Sequence, residues 1–509
     1  MLAYMTMTSN AEVIVVGAGP VGLLLACELA VAGVRVTVLE RRAETVPQSR
    51  ALTMHGRTLE MLALRGVAGR FLARGMPIPS GHFAGLPTRL DFSACDSTYP
   101  FTLFIPQSVT EQLLEAWAGE LGVDLRRGAT VEATGQDEDG VWVGGTQAGS
   151  PFRLAARYLV GADGARSLVR RQAGIAFDGL AATKTAMLGD VRLHTPPPGR
   201  AISLGNSAGG MMVVPLGGEL YRVIVVDAQE IDVPVEVPVT LEGLSAATRR
   251  VAGEDFGMHS PEWLSRFSNQ TCLAQSYRKG RIFLAGDAAH IHLPAGGQGM
   301  NVGMQDAMNL GWKLAGVLRG RADASLLDSY EGERHPVGAA LYRNTLAQSA
   351  LMMDSFDPAG QALRATLSDL MKGPELNATL AHDLSGFGIR YPAALLSGAP
   401  EGDGCARWIG RRLPDWPLQH ADGTASSLYE HLASGRWLVL QVDGEVQGHY
   451  QPALDGAWVN VVTALVPGRA AELDGVAALV VRPDGYVDHA VPLRSSVTSG
   501  NPCPAQAVT

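Results

Sequence analysis

A chain of 509 residues, 46% hydrophobic and 18% charged, is long enough for several domains and has the composition to bury their cores. Its formal charge of −9 excludes a broad nucleic-acid surface, which needs clustered Lys and Arg, and no block of like charge makes a binding tail. Five scattered cysteines (Cys27, Cys95, Cys272, Cys405, Cys503) form no CxxC pair, which speaks for buried thiols in a reducing cytoplasm and against a zinc or disulfide framework.

Residues 1–10 read as a loose leader. Val13–Val16 is a fully apolar strand, followed by a turn, a helix through Ala32 and a second strand at Val34–Leu39, which together make a βαβ unit. The stretch 13–34 is apolar enough to suggest a membrane span, but Glu28 and four glycines (Gly17, Gly19, Gly22, Gly33) argue against it. No basic segment precedes it, so no signal peptide is expected. The strand–helix turn is Gly17-Ala18-Gly19-Pro20-Val21-Gly22, and Glu40, followed by Arg41, closes the second strand. Gly17 permits a tight turn, Gly19 lets a pyrophosphate approach the backbone, and Gly22 lets helix pack on strand. Glu40 stands where an acid hydrogen-bonds a ribose, which disfavours a 2′-phosphate and predicts a nucleotide of NAD or FAD type.

Two later strands, Tyr158–Ala162 and Arg281–Ala285, resemble the first and are assigned to the same sheet, so the first domain is discontinuous. Between them, Ala186–Leu193, Gly210–Leu216 and Tyr221–Asp227 read as antiparallel strands, with Gly217-Gly218 as a hairpin turn. Residues 325–385 are helical by pattern. From about 396 a Pro/Gly-rich linker leads into a compact αβ segment, and the last residues form a frayed tail.

Asp163-Gly-Ala-Arg-Ser167-Leu-Val-Arg170 follows the strand at 158–162. Gly286-Asp287 follows the strand at 281–285 and opens the loop GDAAHIHLPAGGQGMN. With GxGxxG, these two motifs make the chain resemble the FAD-dependent aromatic hydroxylases, the single-component family of para-hydroxybenzoate hydroxylase, over residues 12–340. Within that family it is most similar to the polyketide-tailoring hydroxylases, which add a C-terminal thioredoxin-like domain; RLPDWPLQHADGTASSLYEHL and LVVRPDGYVDH resemble that domain without its redox cysteines.

The resemblance implies an α/β chain with a Rossmann-like FAD-binding domain (9–75, 100–180 and 275–345) and an antiparallel-sheet substrate domain (76–99 and 181–274). A helical connection (346–395), a thioredoxin-like domain (396–493) and a tail (494–509) complete it. It implies FAD as cofactor, NADPH or NADH as co-substrate, and O₂ as oxidant. A phenolic ring would be hydroxylated through a flavin C4a-hydroperoxide in a monomer or homodimer that meets neither nucleic acid nor membrane. Baeyer–Villiger oxygenation, epoxidation and antibiotic inactivation occur on the same scaffold, and a reductase or dehydrogenase would share the FAD motifs.

By the same resemblance Asp287 meets the ribityl chain, Pro294, Gly297, Gly299, Met300 and Asn301 pass the isoalloxazine ring, and a helix N-terminus there stabilises the reduced flavin's negative charge. Arg50 matches an Arg that meets the pyrophosphate and Gln107 a Gln at the ribityl side. Asp163 lies near the diphosphate or caps the following helix, roles that can coexist. On the substrate side, Tyr221 begins a strand with Val223 and Val225 on its face, set either toward the cavity or in the core. Arg390 lines the cavity or pairs at the surface.

Two motifs are set aside. Gly205-Asn-Ser207-Ala-Gly209 matches GxSxG, but leads into a strand where a nucleophile elbow needs a helix. His290 and His292 have no third ligand beside them, so no metal is expected.

Overall fold

The computed structural model describes residues 11–46, 48–198, 201–392, 395–396, 405–442 and 456–493; the leader at 1–10 and the tail with Cys503 lie outside them. Two compact units emerge, residues 1–389 with 433–435 and residues 390–432 with 436–509.

In the first unit, strand β1 (Val13–Val16), helix α1 (Pro20–Val31) and strand β2 (Val36–Glu40) form the opening βαβ unit. Helices α2 (Gly56–Ala63) and α3 (Gln107–Glu120) follow, then strand β3 (Tyr158–Gly161). Strands β4 (Thr185–Leu193), β5 (Ile202–Asn206), β6 (Gly209–Gly217) and β7 (Leu220–Asp227), helix α4 (Leu241–Ala252) and strand β8 (Met258–Ser268) make a separate layer. The chain then returns with strand β9 (Ile282–Leu284) and helices α5 (Gln298–Leu318), α6 (Asp328–Met353), α7 (Pro358–Leu370) and α8 (Pro374–Ser385).

The central sheet runs in the order 278–279, β9, β3, β1, β2, 124–127, parallel except at its 278–279 edge. The strands expected at 13–16, 158–162 and 281–285 thus lie side by side. Val13 to Val16 are all buried, as a parallel strand covered on both faces requires. Helix α1 is apolar almost all round because sheet, α3 and α5 enclose it. Its one buried acid, Glu28, accepts from Arg65 Nη2 at 2.7 Å and from Arg65 Nε at 3.0 Å, fastening α1 to the end of α2.

The second layer is an antiparallel sheet in the order β5-β6-β7-β4-β8. Helix α4, capped by Thr240 Oγ1 on Gly243 N and stopped by Gly253 at φ +85°, lays Leu244, Ala247 and Val251 on one face of it.

The second unit has its own sheet, with strands β10 (Trp437–Gln441), β11 (Val459–Thr463), β12 (Val476–Val481) and β13 (Val487–Pro492) in the order β11-β10-β12-β13. β10 and β11 are parallel and the other pairs antiparallel, which is the strand order of a thioredoxin-type sheet. Trp408, Trp416 and Trp437 fill its core.

Removing one partner of a buried ion pair leaves the other uncompensated, at about 3–5 kcal/mol. Glu28→Ala is therefore expected to lower stability by that amount in urea unfolding; a loss below about 1 kcal/mol would show that Arg65 finds another acceptor.

Candidate active site

Three glycine-rich turns converge at the carboxyl ends of the central strands. In the first, Gly17 has φ +106°, and a Cβ there would stand 2.3 Å from Ala162 O. A Cβ at Gly22 would stand 2.0 Å from Gly17 O, so helix and turn pack backbone to backbone. A Cβ at Gly19, by contrast, would meet nothing within 4 Å, and the N-terminus of α1 has no side-chain cap. Its N–H groups face open space, which suits a phosphate group. Glu40 accepts from Ala18 N and Arg42 N, both at 2.9 Å, which fixes its carboxylate at the turn, while Arg41 is exposed.

The second turn carries Asp287. Gly286 (φ +62°) and Gly303 both press on Val21, where a Cβ would come within 2.9 and 2.7 Å of its methyl group, so α1, this turn and α5 share one close packing. Asp287 is open to solvent yet crowded by protein. Crowding by protein raises its carboxyl above the usual range, and the neighbouring His290 and Arg50 pull it back.

Behind it lies Asp306 on α5, fully buried. It accepts from Gly286 N at 3.1 Å, from His290 Nε2 at 2.8 Å and from Arg334 Nε at 2.7 Å. Burial opposes its charge, but Arg334 and His290 outweigh burial and hold it below the usual value. Asp163 supports the start of the following helix, whose N-cap is Ser167: it accepts from Ser167 Oγ at 2.5 Å, Leu168 N at 2.7 Å and Val169 N at 3.2 Å.

The third turn is 294–301. Gly296 and Gly297 adopt φ of +69° and +67°, and a Cβ at Gly297 would stand 2.0 Å from Thr53 Oγ1. Gly297 leaves the start of α5 without a side-chain cap. Pro294 is exposed, and Gly299 and Met300 are half-buried beside the bare N–H groups of that helix. The Asn301 side chain accepts from His55 N (2.8 Å) and donates to Thr53 O (3.0 Å) and Gly297 O (2.9 Å), so it braces the loop and leaves the backbone to face a ligand. Buried His55 completes the brace, with Nε2 2.9 Å from Gly296 O and Nδ1 2.9 Å from Thr102 Oγ1. Burial lowers its pKa to about 4, against a hydrogen bond to Gly296 that raises it, so the ring is neutral at pH 7.

The segment before Thr53 is held from two sides. Gln107 Oε1 accepts from Ala51 N at 3.1 Å, and Arg222 Nη1 donates to Arg50 O at 3.0 Å. Arg222 also forms a buried pair with Asp190 at 2.7 and 2.8 Å, which ties the second sheet to this segment.

The two faces of that sheet separate cleanly. Tyr221, Val223 and Val225 point to α4, where Tyr221 packs on the core of Val191, Val213 and Leu244. The cavity-facing alternative for Tyr221 is thus corrected. Both faces of β7 are apolar, so alternation did not reveal which one α4 covers. Register places Met212, Ile224, Leu188 and Ser265 in one row of the opposite face, and Val214, Arg222, Asp190 and Trp263 in the next. At one end of this face Ala186 and Val226 pack on Leu293 and Ala295, at the start of the third turn; at the other, Arg222 reaches Arg50. Arg390 is also resolved in favour of the surface: exposed, in the second unit, its guanidinium donates to the carbonyls of Ala406, Arg407 and Ile409. Gly205–Gly209 is the hairpin between β5 and β6, not an elbow.

His55, Asp190, Arg222, Asp306 and Arg334 escaped the sequence reading. The available signal was charge in apolar runs, as with Asp306 in GMQDAMNLGW.

A model of the FAD binding domain matches residues 10–345, and one of the aromatic-ring hydroxylase C-terminal domain matches residues 406–501. The chain belongs to the FAD-dependent aromatic-ring hydroxylases and is an FAD-dependent monooxygenase. It is 46% identical to an uncharacterized aromatic compound monooxygenase of Bacillus subtilis (strain 168) over 481 residues, 94% of each chain. It is 44% identical over 494 residues, 94% of each chain, to a 12-dehydrotetracycline 5-monooxygenase/anhydrotetracycline 6-monooxygenase of Streptomyces rimosus. The solved structure of the anhydrotetracycline hydroxylase OxyS from Streptomyces rimosus superimposes with a TM-score of 0.85 at 41% identity, covering 96% of this chain and 97% of that one.

Two outcomes are expected. The lowered pKa of His55 means that its contribution to stability is complete above pH 6.5 and is lost as pH falls toward about 4, at up to about 1.4 kcal/mol per pH unit. Urea midpoints measured from pH 7 to 4.5 should fall less steeply in His55→Gln than in the parent; equal slopes would assign the acid sensitivity elsewhere. Tyr221→Phe should leave turnover and FAD content unchanged, and a ten-fold drop in turnover would restore Tyr221 to the cavity.

Proposed function

We propose that this chain hydroxylates a polycyclic, polyketide-type phenol in the cytoplasm, as a monomer or homodimer, using NADH or NADPH and O₂. One oxygen atom enters the ring and the other leaves as water, while the nicotinamide is oxidised. The observation that carries the reading is the inner face of the second sheet. Met212, Val214, Ile224 and Trp263, all half-buried, form a largely apolar floor, with the Arg222–Asp190 pair between Val214 and Trp263, joined at one end to the third turn and at the other to the Arg50 segment. Such a floor suits flat aromatic rings. The names of the two Streptomyces rimosus relatives, which refer to tetracycline-type compounds, support the same class.

The residues fit FAD. Gly17, Gly19, Pro20, Val21 and Gly22 with the start of α1 would receive its diphosphate, with Arg50 and Arg41 supplying charge, and Glu40 its ribose. Asp287 and Gln107 would meet the ribityl chain, with Asp163 keeping the neighbouring loop in shape. Pro294, Gly297, Gly299, Met300 and Asn301 would border the ring. When bound, FAD accepts a hydride from NAD(P)H and activates O₂.

The chain's own contribution is placement and shielding. The bare N–H groups at the start of α5 stabilise negative charge beside them. The Met212–Ile224 row excludes water and sets a substrate ring flat against the third turn. Asp306 and His55 keep that turn from shifting.

The test is direct. Purified protein should release one FAD per chain. With 1-naphthol or a larger polycyclic phenol it should consume NAD(P)H and O₂ and give a product heavier by one oxygen atom. Ile224→Asp should raise KM by roughly ten-fold or more, since a carboxylate now lies in the apolar floor, without loss of FAD. FMN in place of FAD, or O₂ uptake that yields no oxygenated product with any such phenol, would overturn the reading.

A further inference from the structure

A second polar feature lies close to the third turn. The hairpin of strands Ser80–Gly81 and Leu90–Asp91 pairs Ser80 with Asp91 and Gly81 with Leu90, and His82, just past it, lies within electrostatic reach of Arg89. A Cβ at Gly81 would stand 2.6 Å from Leu384, and a Cβ at Gly296 would stand 2.9 Å from the same leucine, so Leu384 bridges hairpin and turn. His82 also lies within electrostatic reach of His55, which holds Gly296 O.

Arg89 has only weak partners within the protein. Its guanidinium makes only long bonds, at 3.4, 3.4 and 3.5 Å, all to Ser80. Among the described residues no carboxylate lies within ion-pair distance of it. It is open to solvent on one side and crowded by protein on the other, and that crowding lowers its pKa from the ordinary arginine value. His82 beside it is neutral at pH 7: burial first, then the charge of Arg89, hold its pKa to about 4. Its Nδ1 accepts from Gly85 N at 3.4 Å, which leaves the proton on Nε2. The corner therefore offers a charged planar fork and a neutral N–H, with no protein anion to occupy them.

We infer that Arg89, with His82 beside it, receives an anionic oxygen pair of the aromatic substrate, either a carboxylate or an ionised hydroxyl next to a carbonyl. It thereby selects acidic aromatic substrates over neutral ones of similar shape. This rests on the hydroxylase reading above and deepens it: the floor takes the rings and Arg89 takes the acidic edge. Arg89 is a specificity determinant and has no part in oxygen transfer.

The experiment compares 1-hydroxy-2-naphthoate with 1-naphthol, each titrated into the FAD-loaded full chain and followed by the change in bound-flavin absorbance. The parent should bind the acid at least ten-fold more tightly, as charge-assisted bonds to a guanidinium predict. Arg89→Gln should abolish that preference while the Kd of 1-naphthol stays put, and Arg89→Lys, which keeps the charge and loses the fork, should retain part of it. Equal affinity in the parent, a preference that survives in Arg89→Gln, or equal loss of both probes in both variants would overturn the assignment. Failure of the hydroxylase reading shows separately, as an absence of oxygenated product from either probe whatever their relative Kd.

Discussion

The carboxylate of Asp306 is the constraint on which the site depends. It is buried, and so would be neutral if left alone, but Arg334 and His290 keep it charged. In that state it accepts from the backbone N–H of Gly286, and this bond aims the next residue, Asp287, outward. Arg334 also donates to Val302 O at 3.1 Å, inside the first turns of α5. One ionised group thus sets the turn after β9, the start of α5 and the distance between them. A buried charge of this kind tolerates no partial satisfaction, because loss of any donor exposes a desolvation penalty larger than the bond itself.

The second sheet illustrates a different economy. One face is sealed by α4 and needs only apolar volume; the other leaves Met212, Val214, Ile224 and Trp263 half-buried while staying attached to the FAD-binding part. Its attachments include Ala186 and Val226 against Leu293 and Ala295, and Arg222 on Arg50 O. Arg222 is held by Asp190 and lies with its guanidinium 5.3 Å from the Trp263 ring. That face of the sheet and the segment that carries Arg50 therefore share a residue, so a displacement of one is passed directly to the other.

What was legible in the sequence follows from the range over which each signal acts. Gly17 and Gly22 of the first turn and Gly286 after β9 were readable because close packing admits no larger residue and the spacing is local. The sheet assignments of 13–16, 158–162 and 281–285 were readable because strands buried on both faces are apolar throughout. The face of Tyr221 was not, since both faces of β7 carry apolar side chains and the choice between them belongs to α4, an element downstream. Nor was Arg390, whose partners are carbonyls of residues 406–409 that carry no side-chain signature. Asp306, Arg334 and Arg222 are joined across wide sequence separations, and a buried ion pair looks in sequence like any two charged residues.

The order of strands in the central sheet has a consequence for how the molecule comes into being. β1 borders β3, and β3 borders β9, so the sheet cannot be completed until residue 284 is available, and α5 must follow before Asp306 can act. During synthesis the dinucleotide turn emerges early but waits for the later segments. Until then the apolar strand at 158–161 has one unpaired edge, the kind of surface that recruits other chains. Pairing over such separations is slow, and FAD can favour the native state only after the last strand and α5 have closed its site. The yield of soluble protein is thus governed by a race between late closure and self-association, and conditions that slow association during synthesis act on that race before any flavin can.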